Sequence, residues 1–255
     1  FYKKLPAVGI QLWTVKENMM KDPKATLKSL SDYGFKQIES FEGPKGIFWG
    51  MKNTEYKAYL NDLGMNPVSS HCDNTKDFER KAAEAAEIGI KYLICAYKGP
   101  QKSIDNFKKF TDEFNACGEI ARKNGIRFAY HNHDYSFKTL DGQVPQTLMM
   151  EGTDPNLVDF EMDIYWVVAA RENPEEWFKR YPNRWRLCHI KDRKANGTGF
   201  ESCQVGQGDI NFAQILKTGK ANGLQYFISE QEAFTGSNPL ESSQANAAYL
   251  KKLSI

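Results

Sequence analysis

A glycine followed at once by a short apolar run recurs along this chain, and no other feature constrains the fold as tightly. It reads Gly34-Phe35-Lys36-Gln37-Ile38, Gly64-Met65-Asn66-Pro67-Val68, Gly89-Ile90-Lys91-Tyr92-Leu93, Gly125-Ile126-Arg127-Phe128-Ala129 and Gly223-Leu224-Gln225-Tyr226-Phe227. Glycine just past a helix takes the left-handed conformation at low cost, so each one marks a helix stop. The apolar run behind it reads as a buried strand. Helix starts fall where this scheme needs them. Asp22-Pro23, Asn173-Pro174 and Asn238-Pro239 each set an N-cap residue before a proline at the first helical position. The stripe Leu27, Leu30 and Tyr33 is the helical face of one such segment.

The pattern predicts strands near 8–13, 35–40, 66–71, 91–96, 126–133, 157–163, 185–190 and 225–230, separated by helices. Eight strands in 255 residues match a closed parallel (β/α)8 barrel, the TIM barrel of the α/β class. An open doubly wound sheet would carry a Gly-rich phosphate turn after an early strand, and neither GxGxxG nor a P-loop motif occurs. No composition break marks a linker, so 1–255 is expected to be a single barrel domain.

Lys and Arg outnumber Asp and Glu by two, which gives no long-range attraction to nucleic acid or a membrane surface. No apolar run approaches the roughly 18–20 residues of a membrane span. The five scattered cysteines form no CxxC pair and are expected to be buried thiols. The chain starts at Phe1 rather than Met, which reads as removal of upstream residues and leaves both cytoplasm and periplasm open as locations.

A barrel of this kind carries its chemistry at the C-terminal strand ends. All four histidines fall there: His71 ends the third predicted strand, His131 and His133 the fifth, and His189 the seventh. Carboxylates join them, with Glu39 ending the second strand, Asp163 the sixth and Glu230 the eighth. Strand alternation puts Asp159, Glu161 and Asp163 on one face, which is costly inside an apolar barrel unless the acids are paired or bind a cation. A mixed imidazole and carboxylate shell suits Mn²⁺, Zn²⁺, Co²⁺ or Fe²⁺ better than Ca²⁺, with Mg²⁺ also compatible.

Four segments now stand in order at strand ends: Phe128-Ala-Tyr-His-Asn-His-Asp134, Phe160-Glu-Met-Asp-Ile-Tyr-Trp166, Leu187-Cys-His-Ile-Lys-Asp192 and Ile228-Ser-Glu-Gln-Glu232. Together they resemble the xylose-isomerase-like superfamily, in the style of sugar phosphate isomerase/epimerase proteins and near the inosose dehydratase branch. The resemblance runs from Gly9-Ile-Gln-Leu-Trp13 to Glu232. It implies a divalent metal held by His131, Asp163, His189 and Glu230, one from each of strands five to eight. In ketose 3-epimerases of this superfamily a glutamate stands where His131 stands here, and two glutamates move protons on opposite substrate faces. Only Glu230 remains of that pair, so His133 or Lys191 is expected to supply the second proton transfer. Trp13, Glu39, His71, Trp166 and Arg193 are expected to touch substrate, Trp166 standing where some relatives place a substrate-contacting histidine.

The function so implied is a metal-dependent sugar isomerase or epimerase, acting on a sugar, keto-sugar or sugar phosphate through a metal-stabilised enediolate. The same residues would serve a dehydratase or lyase on a keto-sugar or keto-inositol. A repair endonuclease of the superfamily needs a three-metal cluster with more histidines and a basic face, which this composition does not provide. A barrel that only bound sugar would not need a Lewis acid. The expected partner is a small sugar or polyol, and barrels of this family often form homodimers. The Gly-, Asn- and Ser-rich stretch 194–208 reads as a lid or substrate loop, its glycines near Gly206-Gln-Gly-Asp-Ile210 being candidates for binding phosphate.

Overall fold

Each glycine of the repeat turns the chain in the left-handed region, from φ 66° at Gly64 to φ 102° at Gly223. At Gly223 a Cβ would lie 2.5 Å from Asn183 Oδ1, so the turn has no room for a side chain. These features belong to a computed structural model that describes residues 4–255. The reading of a processed start at Phe1 concerns a residue outside that range.

The strands are β1 (Gly9–Gln11), β2 (Gln37–Phe41), β3 (Asn66–Cys72), β4 (Tyr92–Cys95), β5 (Arg127–His131), β6 (Val158–Asp163), β7 (Trp185–Ile190), β8 (Asp192–Asn196), β9 (Gly199–Cys203) and β10 (Tyr226–Ser229). The helices are α1 (Lys16–Lys21), α2 (Pro23–Tyr33), α3 (Asn53–Asp62), α4 (Phe78–Glu87), α5 (Ile104–Lys123), α6 (Pro145–Gly152), α7 (Ile164–Ala169), α8 (Pro174–Arg180), α9 (Phe212–Ala221) and α10 (Pro239–Leu250). Eight parallel strands close in the order β1-β10-β7-β6-β5-β4-β3-β2, the TIM barrel that the repeat predicts. Every predicted strand is present.

The proline-flanked helix starts are capped as their chemistry requires. Asp22 accepts from Ala25 N, Asn173 from Glu175 N and Asn238 from Glu241 N. Each cap is worth about 1 kcal/mol. Leu27 and Leu30 of α2 are fully buried against the barrel, about 1.5–3 kcal/mol of burial apiece. The five cysteines are buried free thiols. Among the described residues, no helix is long and apolar enough to cross a membrane.

Inside the barrel an apolar floor of Val68, Ile94, Ala129, Leu187 and Ile228 closes the lower end. Polar side chains begin directly above it. Two of them leave strands where the register slips, at Ile38/Glu39 in β2 and at Phe160/Glu161 in β6. A bulge re-aims the side chain it carries, and both carry a carboxylate.

One stretch differs from expectation. Part of 194–208 is a regular antiparallel hairpin, β8 with β9, in which Asp192 pairs with Cys203 and Asn196 with Gly199. Its alternating Arg193, Ala195, Phe200 and Ser202 carry strand spacing that its Gly, Asn and Ser content obscures.

Candidate metal centre and active site

His131 ends β5, Asp163 ends β6, His189 lies one residue before the end of β7, and Glu230 directly follows β10. Closure of the barrel brings one donor atom of each to within 4.8 Å of all the others. The distances are 3.1 Å for His131 Nε2–His189 Nδ1 and 3.2 Å for His189 Nδ1–Glu230 Oε2. Asp163 Oδ2 lies 3.5 Å from His131 Nε2 and 3.7 Å from His189 Nδ1. Bonds of about 2.0–2.2 Å to a tetrahedral cation hold ligand atoms roughly 3.3–3.6 Å apart, which is this spacing.

Local hydrogen bonds aim these donors. His131 Nδ1 lies 3.2 Å from the carbonyl of Ala96, so it carries the proton and the Nε2 lone pair faces the quartet. His189 Nε2 lies 2.7 Å from Glu39 Oε1, so its Nδ1 faces the quartet in the same way. Asn132 ties β5 to β6, donating to the Asp163 carbonyl at 3.2 Å and accepting from the Asp163 N–H at 3.0 Å. Asp163 Oδ1 accepts from Trp166 N as the cap of α7, while the buried Oδ2 lies 2.7 Å from the Lys191 ammonium. Two imidazole nitrogens and two carboxylate oxygens thus converge, all acceptors once His189 is neutral. Lys191 offsets part of the carboxylate charge from one side, but the facing imidazole nitrogens share no proton once His189 is neutral, and the set fits a divalent metal.

The electrostatics agree. Burial pushes His131 down to about 4, leaving it neutral and able to act as a ligand. Burial opposes charge on His189, but Glu161 and Glu230 outweigh it and raise its pKa, so without metal the quartet takes up a proton there. Burial also opposes ionisation of Asp163, yet the Lys191 ammonium and the two histidines hold it well below the usual carboxylate range. Lys191 is buried, with its Nζ 2.7 Å from Asp163 Oδ2, 2.8 Å from Glu230 Oε2 and 3.0 Å from Glu232 Oε2. Those three carboxylates raise its pKa against the effect of burial, so it is an ammonium.

A second quartet lies beneath the first and shares His189. His71 Nε2 lies 2.7 Å from Glu161 Oε2 and 3.2 Å from Glu39 Oε1, and His189 Nε2 lies 3.4 Å from Glu161 Oε2. Gln11 Nε2 at 2.8 Å and the Ser69 hydroxyl also donate to Glu39. The three acids expected on one face of β6 are all buried, and each meets a cationic partner: Asp159 with Arg127, Glu161 with His71, Asp163 with Lys191.

A cavity of about 690 Å³ opens above the metal quartet. Trp13, His71, His131, His133, Lys191 and Glu230, all candidates from the sequence, line it. Trp13 packs edge-on to Phe41 at 5.1 Å, and Tyr97 meets the His133 ring edge-on at 4.9 Å. Burial above all, together with the neighbouring His131 ring and the Lys191 ammonium, pushes His133 down to about 2, so it is a neutral wall residue.

Three expected substrate contacts are placed elsewhere. Glu39 is fully buried below the cavity, its carboxylate taken up by His189, Gln11 and Ser69, because the β2 bulge turns it inward. Arg193 is drawn to Asp209 by two hydrogen bonds of 2.9 and 3.0 Å and lies 4.0 Å over the Phe200 ring. Trp166 stands behind the wall, 5.5 Å from the His133 ring, with Lys191 Nζ 5.2 Å from its face. The glycine-rich turn is also occupied: Gly206 N and Gly208 N donate to Asp192 Oδ2 at 2.8 and 3.0 Å, a carboxylate where phosphate was expected. Sequence reasoning passed over Glu232, whose position two residues past Glu230 was the available signal. Ser202 of β9 accepts from the N–H of Glu232 and of Ala233, so the hairpin holds that segment at the cavity.

Fold and site together define a closed parallel barrel with a metal-ready histidine–carboxylate quartet at its catalytic rim. The profile of the family described as xylose isomerase-like TIM barrel matches residues 27–253, and the chain belongs to that family. It is 27% identical over 165 residues to an inosose dehydratase of Clostridium perfringens, a match covering 58% of this chain and 55% of that protein. The chain thus spans about half the length of the curated relatives it matches first. A sugar phosphate isomerase/epimerase structure from Parabacteroides distasonis superposes with a TM-score of 0.81 at 28% identity, covering 97% of this chain and 94% of that one. A structure of the protein IOLI with a bound zinc atom superposes with a TM-score of 0.75 at 16% identity, over 95% of both chains, and shows the shared fold.

Proposed function

We propose that this chain is a divalent-metal-dependent lyase of the dehydratase type, removing water from a keto-sugar or keto-polyol. The observation that carries this reading is Lys191, a buried ammonium within 3.0 Å of both Glu230 and Glu232 at the cavity wall. A proton donor and a carboxylate acceptor stand side by side, which is what elimination requires.

His131, Asp163, His189 and Glu230 would hold the metal. When bound, it supplies Lewis acidity that polarises a substrate carbonyl and acidifies the neighbouring C–H. Glu232, which is not among the four ligands, takes the proton from that carbon. The freed electron pair forms the carbon–carbon double bond, and the hydroxyl on the next carbon leaves as water with a proton from Lys191. The carboxylic acid so formed returns its proton to the lysine amine 3.0 Å away, restoring the starting state. Trp13 offers an apolar face to the substrate ring, while Tyr97 and His133 form the opposite wall.

A two-base epimerase needs a proton acceptor on the β5 side. There stand His131, directed at the quartet, and His133, too weak a base near pKa 2. The isomerase/epimerase reading is favoured instead by the likeness to the Parabacteroides structure. Residues 1–255 act as one catalytic domain under either reading. Metal-loaded protein incubated with keto-hexoses and keto-inositols separates them by product mass: loss of one water supports the dehydratase, and conversion at constant mass refutes it.

A further inference from the structure

Both lysines that line the cavity, and the guanidinium on the neighbouring hairpin, are already engaged by carboxylates of this chain. Lys98 and Lys191 are the two ammonium groups lining the cavity among the described residues. Lys191 faces Asp163, Glu230 and Glu232. Lys98 folds back to Glu113, its Nζ 4.9 Å from the Phe110 ring centre, and its side chain is largely buried. Arg193, the nearby guanidinium on the hairpin, forms its paired bonds with Asp209. The turn after β9 has the converging N–H groups of an anion nest, but the donors Gly206 N, Gly208 N and Ile210 N all point at Asp192.

The lining itself is acidic. Glu42, Asp73, Glu230 and Glu232 face the cavity, and the cations that meet them, Lys81 at Glu42, Lys76 at Asp73 and Lys191 at the two others, are held in those pairs. A phosphate monoester carries close to two negative charges at neutral pH and would meet these carboxylates at low effective dielectric. Hydroxyl groups face the opposite situation, because carboxylates accept the bonds that sugar hydroxyls donate. Asp73, Asn74 and Thr75, in the loop after β3, present such groups at the end of the cavity away from β7 and β10.

We infer that the site takes an uncharged, hydroxyl-rich substrate and excludes its phosphate ester. The inference rests on reading this cavity as the substrate site. It departs from what the name of the Parabacteroides structure suggests for a relative of similar size.

The test is calorimetric titration of wild-type protein, metal-loaded and metal-stripped, with inorganic phosphate and with fructose 6-phosphate, using fructose as the neutral counterpart. No saturable binding of either phosphate to the stripped protein is expected below about 10 mM, a limit set by weak-binding arithmetic. Phosphate that binds only the loaded protein is a ligand of the ion, and leaves the cavity walls without a phosphate site, as inferred. Saturable binding to the stripped protein below about 1 mM, weakened at least tenfold in Lys98→Ala or Lys191→Met, would overturn the inference. Turnover of a sugar phosphate in preference to its neutral counterpart would overturn it as well. Absence of turnover with every neutral keto compound would count against the proposed reaction, while phosphate exclusion is read independently from the heats.

Discussion

The two histidine–carboxylate quartets stacked in this barrel contain the same kinds of residue yet solve opposite problems. In the lower one, Glu39, His71, Glu161 and His189 alternate acid with imidazole, with contacts of 2.7–3.4 Å. His71 Nε2 and His189 Nε2 each reach both acids, so two imidazole protons and the raised pKa of Glu161 hold the ring together without a metal. In the upper one, His131 Nε2 faces His189 Nδ1 directly at 3.1 Å, and Asp163 Oδ2 and Glu230 Oε2 both rely on the Lys191 ammonium, at 2.7 and 2.8 Å. The bond from Glu39 turns His189 so that its Nδ1 points upward. Donor identity alone does not distinguish a metal site from a buried proton network; the order of donors around the ring does. If the upper ring holds the proposed metal, the lower ring is the carboxylate support that fixes its shared imidazole in one tautomer and orientation.

Removing an upper ligand should break the contrast most severely. His131→Ala is expected to lose bound metal and reduce turnover to background, with helix content in circular dichroism unchanged. Glu39→Gln, which alters the bond to His189 from below, should weaken metal affinity by about 10–100-fold in a chelator competition. Retained wild-type affinity there would show that the two rings act separately.

Protons should compete with metal at the shared histidine. The raised pKa of His189 means that its proton must leave when the ion binds, so affinity should increase as pH rises. Titrations at several pH values check this, and a flat profile would contradict the assigned role of Nδ1.

The smallest effect belongs to the lower ring on its own. Burial would lower His71, but Glu39 and Glu161 outweigh it and hold the pKa at about 9. Glu161 is pushed up to about 7 by burial and by Glu39. Both groups keep a proton longer folded than unfolded. In metal-free protein the stability they contribute is therefore present at low pH. It declines as Glu161 ionises through about 7 and is lost as His71 deprotonates through about 9. Glu161→Gln should flatten this decline in denaturant melts and change overall stability by about 1–3 kcal/mol, with metal binding largely retained.

What the sequence shows and what it hides follow the same physics. Glycine stops and Asn-Pro or Asp-Pro starts are local chemistry, so the barrel and its strands are legible without tertiary information. The convergence of His131, Asp163, His189 and Glu230 follows once strand ends are known, because closure places strand ends together. The fate of Glu39 is not legible, since alternation assumes an unbroken strand and the register slips beside it. The same slip precedes Glu161. Arg193, on the β8 hairpin, and Trp166, in α7, lie beyond the barrel strands, where a nearby partner such as Asp209 decides direction. Asp192 fills the glycine turn from a residue 14 positions before Gly206, a pairing that composition does not reveal.

The most direct measurement is metal stoichiometry by native mass spectrometry after reconstitution, on wild type, Asp163→Asn and Glu161→Gln. The expected result is one divalent ion per chain in wild type and Glu161→Gln, and none in Asp163→Asn. An ion that survives Asp163→Asn but is lost in Glu161→Gln would place the metal in the lower ring and contradict the account.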